Sequence, residues 1–197
     1  QMVKKITKFE VISLYLNDYG KRYYLRELAF LLKKPHQSIK PYAEELVKEG
    51  ILIKNKRKNI VEYNLNFKDK KLYDCLIISE KEKLMARLKE DALLRILFEK
   101  LSAFFRNNTF VIFGSAANKV RKGSDVDLLV IGEQDIDKQI KDFEKVYNKN
   151  VHKVQMRGIE NITLALIKEI YKKHLIFNNT EQIIRFFVEF HEQNKLV

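Results

Sequence analysis

The chain has 197 residues, enough for one large domain or two small ones, and its 46% hydrophobic and 32% charged residues make a globular rather than a disordered composition. Six Gly and two Pro argue for long regular elements with short loops, and no apolar run implies a membrane-spanning helix. The formal charge of +12 favours polyanionic partners, with a Lys-rich solvated surface as the plain alternative. Residues 1–67 hold 14 Lys and Arg against 7 Asp and Glu, and residues 68–197 hold 24 against 19, so the excess is densest in the first third. A single Cys75 forms no internal disulfide, no Cys/His cluster suggests zinc, and no signal-peptide pattern opens the chain, so a reducing cytoplasm is expected. Gln1 precedes Met2 and is set aside as a remnant.

In chain order, Ile6, Phe9, Val11, Ile12 and Leu16 give residues 4–16 a helical spacing, stopped by Asn17 to Gly20. Tyr23 to Leu25 reads as extended. Arg26 to Lys33 reads as a second helix ended by Pro35. Ser38 offers an N-cap for a third helix, with Pro41 in its first turn, running to Lys48 and stopped by Gly50 at C′. Ile51 to Ile53 predicts a strand, Lys54 to Asn59 a basic turn, and Ile60 to Phe67 a second, alternating strand.

Three helices and a basic hairpin make up residues 2–67, and the run Ser38 to Leu52 resembles the recognition helix and first wing strand of winged helix-turn-helix modules. That resemblance implies duplex DNA as a partner. Gln37, Ser38 and Lys40 would enter a groove, and Lys56, Arg57 and Lys58, with Lys54, would reach phosphates. Winged modules also dock proteins, and Pro41 with the acidic Glu44, Glu45 and Glu49 would suit that use.

Residues 68–94 are charged and helix-prone and read as a helical linker, with a second helix opening a domain over residues 95–197. There, Phe110 to Phe113 is a short buried strand, Gly114-Ser115 a turn into a helix, Val126 to Ile131 a second strand, Asp135 to Tyr147 a helix and Val151 to Met156 a third strand. Ile162 to Lys173 and Thr180 to Gln193 are helical, with Leu175 to Phe177 extended between them. The expectation is an α/β (α+β) fold, a mixed sheet with helical cover.

The chemistry concentrates between Phe110 and Gly132. Asp125 and Asp127, at i and i+2 of a strand, would put both carboxylates on one face, where they repel unless a cation sits between them. Mg²⁺, or Mn²⁺, suits one or two carboxylates completed by water and phosphate. Gly114 permits close backbone approach, and Ser115 offers a hydroxyl and an N–H at a helix start, a phosphate-binding arrangement.

Strand, Gly-Ser, nine residues and Asp-x-Asp on a second strand, with Ser124 ahead of the first Asp, resembles the minimal nucleotidyltransferases of the DNA polymerase beta superfamily. The resemblance covers about residues 95–195. It implies an NTP substrate and metal-assisted transfer of a nucleotidyl group to a hydroxyl. Asp125 and Asp127 would act as catalytic metal ligands, and Gly114, Ser115, Lys119 and Ser124 would hold the nucleotide. Two departures stand out. Asn118 and Lys119 replace the Arg-Gly of many relatives, with Lys119, Arg121 and Lys122 as compensating charge. The third strand carries no acid where active members have a third carboxylate: His152 falls nearest that position, Gln155 is a second candidate, and Glu160 lies past the strand's end. Two functions follow: a transferase acting on a macromolecule or small molecule, or a winged-helix regulator or antitoxin-type protein that binds nucleotide or a protein partner without turnover. A homodimer is left open. His36, His174 and His191 read as structural or solvated, Cys75 as core-facing, and Phe104-Phe105 and Phe186-Phe187 as core.

Overall fold

The computed structural model describes residues 6–57, 60–120 and 123–194. The chain divides into two compact units, Gln1–Glu80 with Phe187–Val197 and Lys81–Phe186. The division falls inside two helices, α4 (Lys71–Glu90) and α9 (Thr180–Asn194).

In the first unit, α1 (Lys8–Ser13) starts later than the apolar spacing suggested, because Thr7 caps it: Glu10 N–H donates to Thr7 Oγ1 at 3.2 Å, and Thr7 N–H donates to the Glu10 carboxylate at 3.0 Å. After β1 (Tyr23–Tyr24), α2 (Leu25–Leu31) is entered through a bond from Tyr24 N–H to Glu27 Oε2 at 2.8 Å. The third helix, α3, spans His36–Lys48. Its start corrects the expectation: Pro35, with its φ already fixed, is the N-cap, and Ser38 lies in the first turn with its N–H on Pro35 O. Pro41 therefore falls in the second turn, inside the helix.

At the other end Gly50 takes φ +82 at C′, and Ile51 N–H returns to Leu46 O at 2.9 Å, the bond that closes a left-handed helix stop. Ile39, Ala43 and Leu46, at helical spacing, bury the inner face of α3. β2 (Leu52–Arg57) and β3 (Ile60–Leu65) pair antiparallel from Leu52↔Leu65 to Arg57↔Ile60, with β1 on the far side of β3 in the order β1-β3-β2. Lys54 to Arg57 thus belongs to a strand, not to the expected turn, and Lys58 lies outside the described residues.

The second unit is a four-stranded mixed sheet, order β6-β5-β4-β7. β4 (Thr109–Phe113) and β5 (Val126–Ile131) are antiparallel, β5 and β6 (Val151–Met156) are parallel, and β7 (His174–Ile176) runs antiparallel on the outer edge of β4. The parallel pair requires a crossover, supplied by α7 (Asp137–Tyr147). Phe110, Ile112, Leu128, Val130 and Leu175 face one way and share a core with Leu94, Leu97 and Leu101 of α5 (Ala92–Ser102) and Ile140 and Phe143 of α7. Phe104 and Phe105 pack against that core, as expected. By alternation Val111, Phe113, Asp127, Leu129, His152 and Val154 share the opposite face. The remaining elements are α6 (Ser115–Asn118), a short 3₁₀ turn at Ile159–Asn161 and α8 (Leu164–Lys172). Among the described residues no helix is long and apolar enough to cross a membrane.

Candidate functional site

One end of the mixed sheet gathers the residues singled out by sequence. β4 arrives there at Phe113, opposite Asp127, and the chain turns through Gly114 into α6. β5 departs from the same end, preceded by Ser124 and Asp125. β6 also begins there, and register sets His152 beside Asp127. β7 starts there too, with His174 opposite Phe113, and Gly114 N–H donates to Lys173 O at 3.2 Å.

Gly114 has a steric reason to be glycine before any ligand is considered. Its φ is +67, and a Cβ at this position would stand 2.6 Å from Asp127 Oδ2. The missing side chain is the space in which the Asp127 carboxylate stands. Ser115 opens α6 on the exposed side, while Ala116 and Ala117 are buried beneath it. The helix is one turn long and ends at Lys119, which is extended and exposed.

The two aspartates are less alike than period-two spacing suggested. Asp127 lies within β5, its side chain about a third exposed. Asp125 lies one residue ahead of the strand and is exposed, so only Asp127 is held by ladder bonds on both sides. The sequence placed both within the strand; β-pairing begins at Val126, whose N–H bonds to Asn150 O at 2.9 Å.

On β6, His152 Nδ1 stands 3.4 Å from Asp127 Oδ1, and its ring is 68% exposed. Gln155 points to the opposite face, donating to Gly132 O at 2.9 Å and accepting from Lys153 Nζ at 2.8 Å, which removes it as a stand-in for the third carboxylate. Glu160 follows the far end of β6, whose last residue lies four positions, roughly 13 Å, beyond His152. Its carboxylate folds over its own turn, against Gly158. No acid of the third strand reaches Asp127.

Three further residues support this sheet end, and sequence reading missed all of them. Lys149 is buried at 7% exposure, and its Nζ donates to the Ser124 carbonyl oxygen and, at 3.4 Å, lies against Ser124 Oγ. Arg87 Nε donates to Ala117 O at 3.3 Å and pairs with Asp91 at 3.3 Å. Asp91 also accepts the Val120 N–H at 3.3 Å while capping α5 through Leu94 N–H. α6 and the residues after it are thereby tied to α4 and α5. The one sequence signal was Asp91, an N-cap type ahead of an apolar run; a lysine or arginine in a charged stretch gives none. His174 is buried, with Nδ1 3.0 Å from Ile170 O, a structural role as expected. Arg121 and Lys122 lie outside the described residues.

In the first unit, Gln37, Ser38 and Lys40 are exposed along the start of α3, and Lys56 is exposed on β2. Lys54 is engaged: its Nζ lies 2.7 Å from Glu44 Oε1, which also accepts the Tyr63 hydroxyl at 2.9 Å. These bonds, Lys54 foremost, hold the Glu44 carboxyl below its ordinary range against the opposing effect of burial. Lys8 Nζ lies 2.7 Å from Glu49 and 3.4 Å from Glu45, and the Glu49 bond chiefly holds its ammonium above the usual lysine value. Glu44, Glu45 and Glu49, the acids that suggested a protein-docking surface, are all ion-paired within their own unit.

Residues 99–182 match the family model described as Polymerase beta, Nucleotidyltransferase. That segment includes Gly114, Ser115, Asp125, Asp127 and His152, and is less than half of the chain. No curated protein matches. Among solved structures, the crystal structure of Pseudomonas aeruginosa HmgR is similar at 16% identity, covering 64% of this chain and 47% of that one, with a TM-score of 0.27. The chain thus spans under half of that protein's length.

Proposed function

We propose that the protein is a nucleotidyltransferase that binds an NTP with Mg²⁺ at the sheet end around Asp127, behind a DNA-binding winged helix-turn-helix module. The observation that carries this reading is the fit between Gly114 and Asp127: the glycine at φ +67 leaves room for a carboxylate directly under the Gly-Ser turn, within a segment that matches the nucleotidyltransferase family. Asp127, with Asp125 one residue ahead of the strand, would offer carboxylate oxygens to a divalent ion, with open positions for water and phosphate. Bound there, the ion supplies charge neutralisation and a lowered pKa for the attacking hydroxyl. Ser115 and the N–H groups opening α6 receive phosphate oxygens, and Lys119 adds positive charge beyond them. Lys149 fixes the Ser124 backbone, and with it the approach to Asp125. The chain itself offers no carboxylate on β6 to take the acceptor's proton, so that proton passes to water or to a group on the acceptor.

The absence of that carboxylate favours a second reading, in which the same site binds nucleotide without turnover and the protein acts as a regulator or antitoxin-type protein. Single-turnover transfer from labelled NTP, with cell extract as a source of acceptor, separates the two. Transfer supports the enzyme; nucleotide binding without transfer by wild type or His152→Asp supports the sensor. Calorimetry tests the shared premise: Asp125→Asn with Asp127→Asn should abolish Mg·ATP binding, and undiminished binding would reject the site.

For the first unit, the ion pairs of Glu44, Glu45 and Glu49 leave an exposed α3 start with Gln37, Ser38 and Lys40, which supports a nucleic-acid surface over protein docking. Each phosphate contact contributes roughly −0.9 to the slope of log K against log salt, so Ala at Lys56, Arg57 and Lys58 should flatten the slope for duplex DNA by up to about 3. An unchanged slope would turn this module back towards protein docking.

A further inference from the structure

We propose that the metal position beside Asp127 is a mixed carboxylate–imidazole site, with His152 as its nitrogen ligand, and that it takes a transition ion of the Co²⁺, Ni²⁺ or Zn²⁺ class in preference to Mg²⁺. The proposal rests on the reading of this sheet end as a metal-dependent nucleotide site and changes which ion that site selects. Parallel register puts His152 level with Asp127, on the same face, at the end where β5 and β6 both begin. The Nδ1 to Oδ1 separation is 3.4 Å. Two donors bound at about 2.1 Å to a tetrahedral ion stand about 3.4 Å apart, and at the right angle of an octahedral ion about 3.0 Å. The pair is therefore spaced for an ion between its two donors without movement of either strand.

The His152 ring is 68% and the Asp127 side chain 31% exposed, so an ion has access from solvent. Imidazole suits the later first-row ions, whereas Mg²⁺ prefers oxygen and sheds its water reluctantly. Among the described residues no three His, Cys, Asp or Glu side chains converge as a metal site, so the remaining positions fall to water and nucleotide phosphate.

The test is a Co²⁺ titration of the full-length chain followed by visible absorption, with Mg²⁺ binding measured by calorimetry. Wild type should bind Co²⁺ at least about tenfold more tightly than Mg²⁺. His152→Ala should weaken Co²⁺ by on the order of tenfold or more and shift the absorption band, while leaving Mg²⁺ within about twofold. His152→Asp should reverse the preference towards Mg²⁺. The other exposed histidine, His36, serves as control, and His36→Gln should leave the titration unchanged. His152 is a surface side chain, so these variants leave the core intact; circular dichroism checks this. Co²⁺ binding and spectrum unaltered in His152→Ala would overturn the imidazole ligand while leaving the aspartate site standing. Absence of binding by either ion, with or without ATP, would overturn the metal site itself.

Discussion

Carboxylates in the two units meet opposite fates. In the first, Glu44, Glu45 and Glu49 line α3, and each lies within 3.4 Å of a lysine from α1 or β2. In the second, Asp125 and Asp127 flank the start of a buried strand, and the His152 imidazole stands 3.4 Å from Asp127. A neutralised carboxylate contributes to its own fold and has little left for a ligand. A carboxylate placed next to another acid, with glycine clearing space around it, costs the fold something and is available to a cation. The contrast separates acids that tie α3 to its neighbours from acids gathered at a sheet end, although both kinds read as charged surface in the sequence.

The largest test of that contrast closes the space beside Asp127. Gly114→Ala forces a non-glycine residue to φ +67 with its Cβ 2.6 Å from Asp127 Oδ2. It should lower stability by about 1–3 kcal/mol in urea unfolding and reduce Mg·ATP binding in the same variant. Normal binding would show that the carboxylate can move aside.

Removing a paired acid should cost less. Glu44→Ala leaves the Tyr63 hydroxyl and Lys54 without their shared acceptor and should cost about 1 kcal/mol. Because the Glu44 carboxyl is held below its ordinary 4.5 in the fold, its contribution is present above that pH and is lost as pH falls through the lowered value. Melting temperature between pH 6 and 3 should therefore fall more steeply for wild type than for Glu44→Gln. Parallel curves would remove Glu44 from the account.

Lys8→Ala breaks the pairs with Glu45 and Glu49 at the partly open edge of the unit and should cost roughly 0.2–1 kcal/mol, shrinking in high salt. The smallest effect has the opposite sign. Asp125→Asn with Asp127→Asn should raise melting temperature slightly in metal-free buffer, because like-charge repulsion is relieved. A drop would mean that these acids are structural after all.

Much of the second unit is legible in the sequence. Short apolar runs mark β4 and β5 because both are buried, Gly-Ser marks the turn, and counting along Val151 to Met156 places His152 nearest the aspartates. What escaped depends on contacts between distant positions. Lys149 is 25 residues from Ser124, and Arg87 is 30 from Ala117. Neither spacing nor composition distinguishes such lysines and arginines from the solvated majority. In the first unit the apolar pattern found the helices but misplaced the start of α3, because Pro35 competes with Ser38 as an initiator and is already fixed in φ. The pairing of Lys54 with Glu44 was hidden for a different reason. The basic run Lys54 to Asn59 reads as a turn, and only the place of Lys54 in β2, opposite Tyr63, brings it to α3.

Asp127 is clamped between Phe113 and His152 by ladders on both sides, whereas Asp125 hangs one residue outside the sheet. In mechanical terms this end of the sheet has one carboxylate fixed from both flanks and one carried on the approach to the strand. The position of Asp127 is set by the whole sheet, while that of Asp125 is set by the segment ahead of Val126, which Lys149 holds at the Ser124 carbonyl. A load on Asp127 is therefore shared between β4 and β6, whereas a load on Asp125 reaches the sheet through Val126 and through the lysine bonded to Ser124.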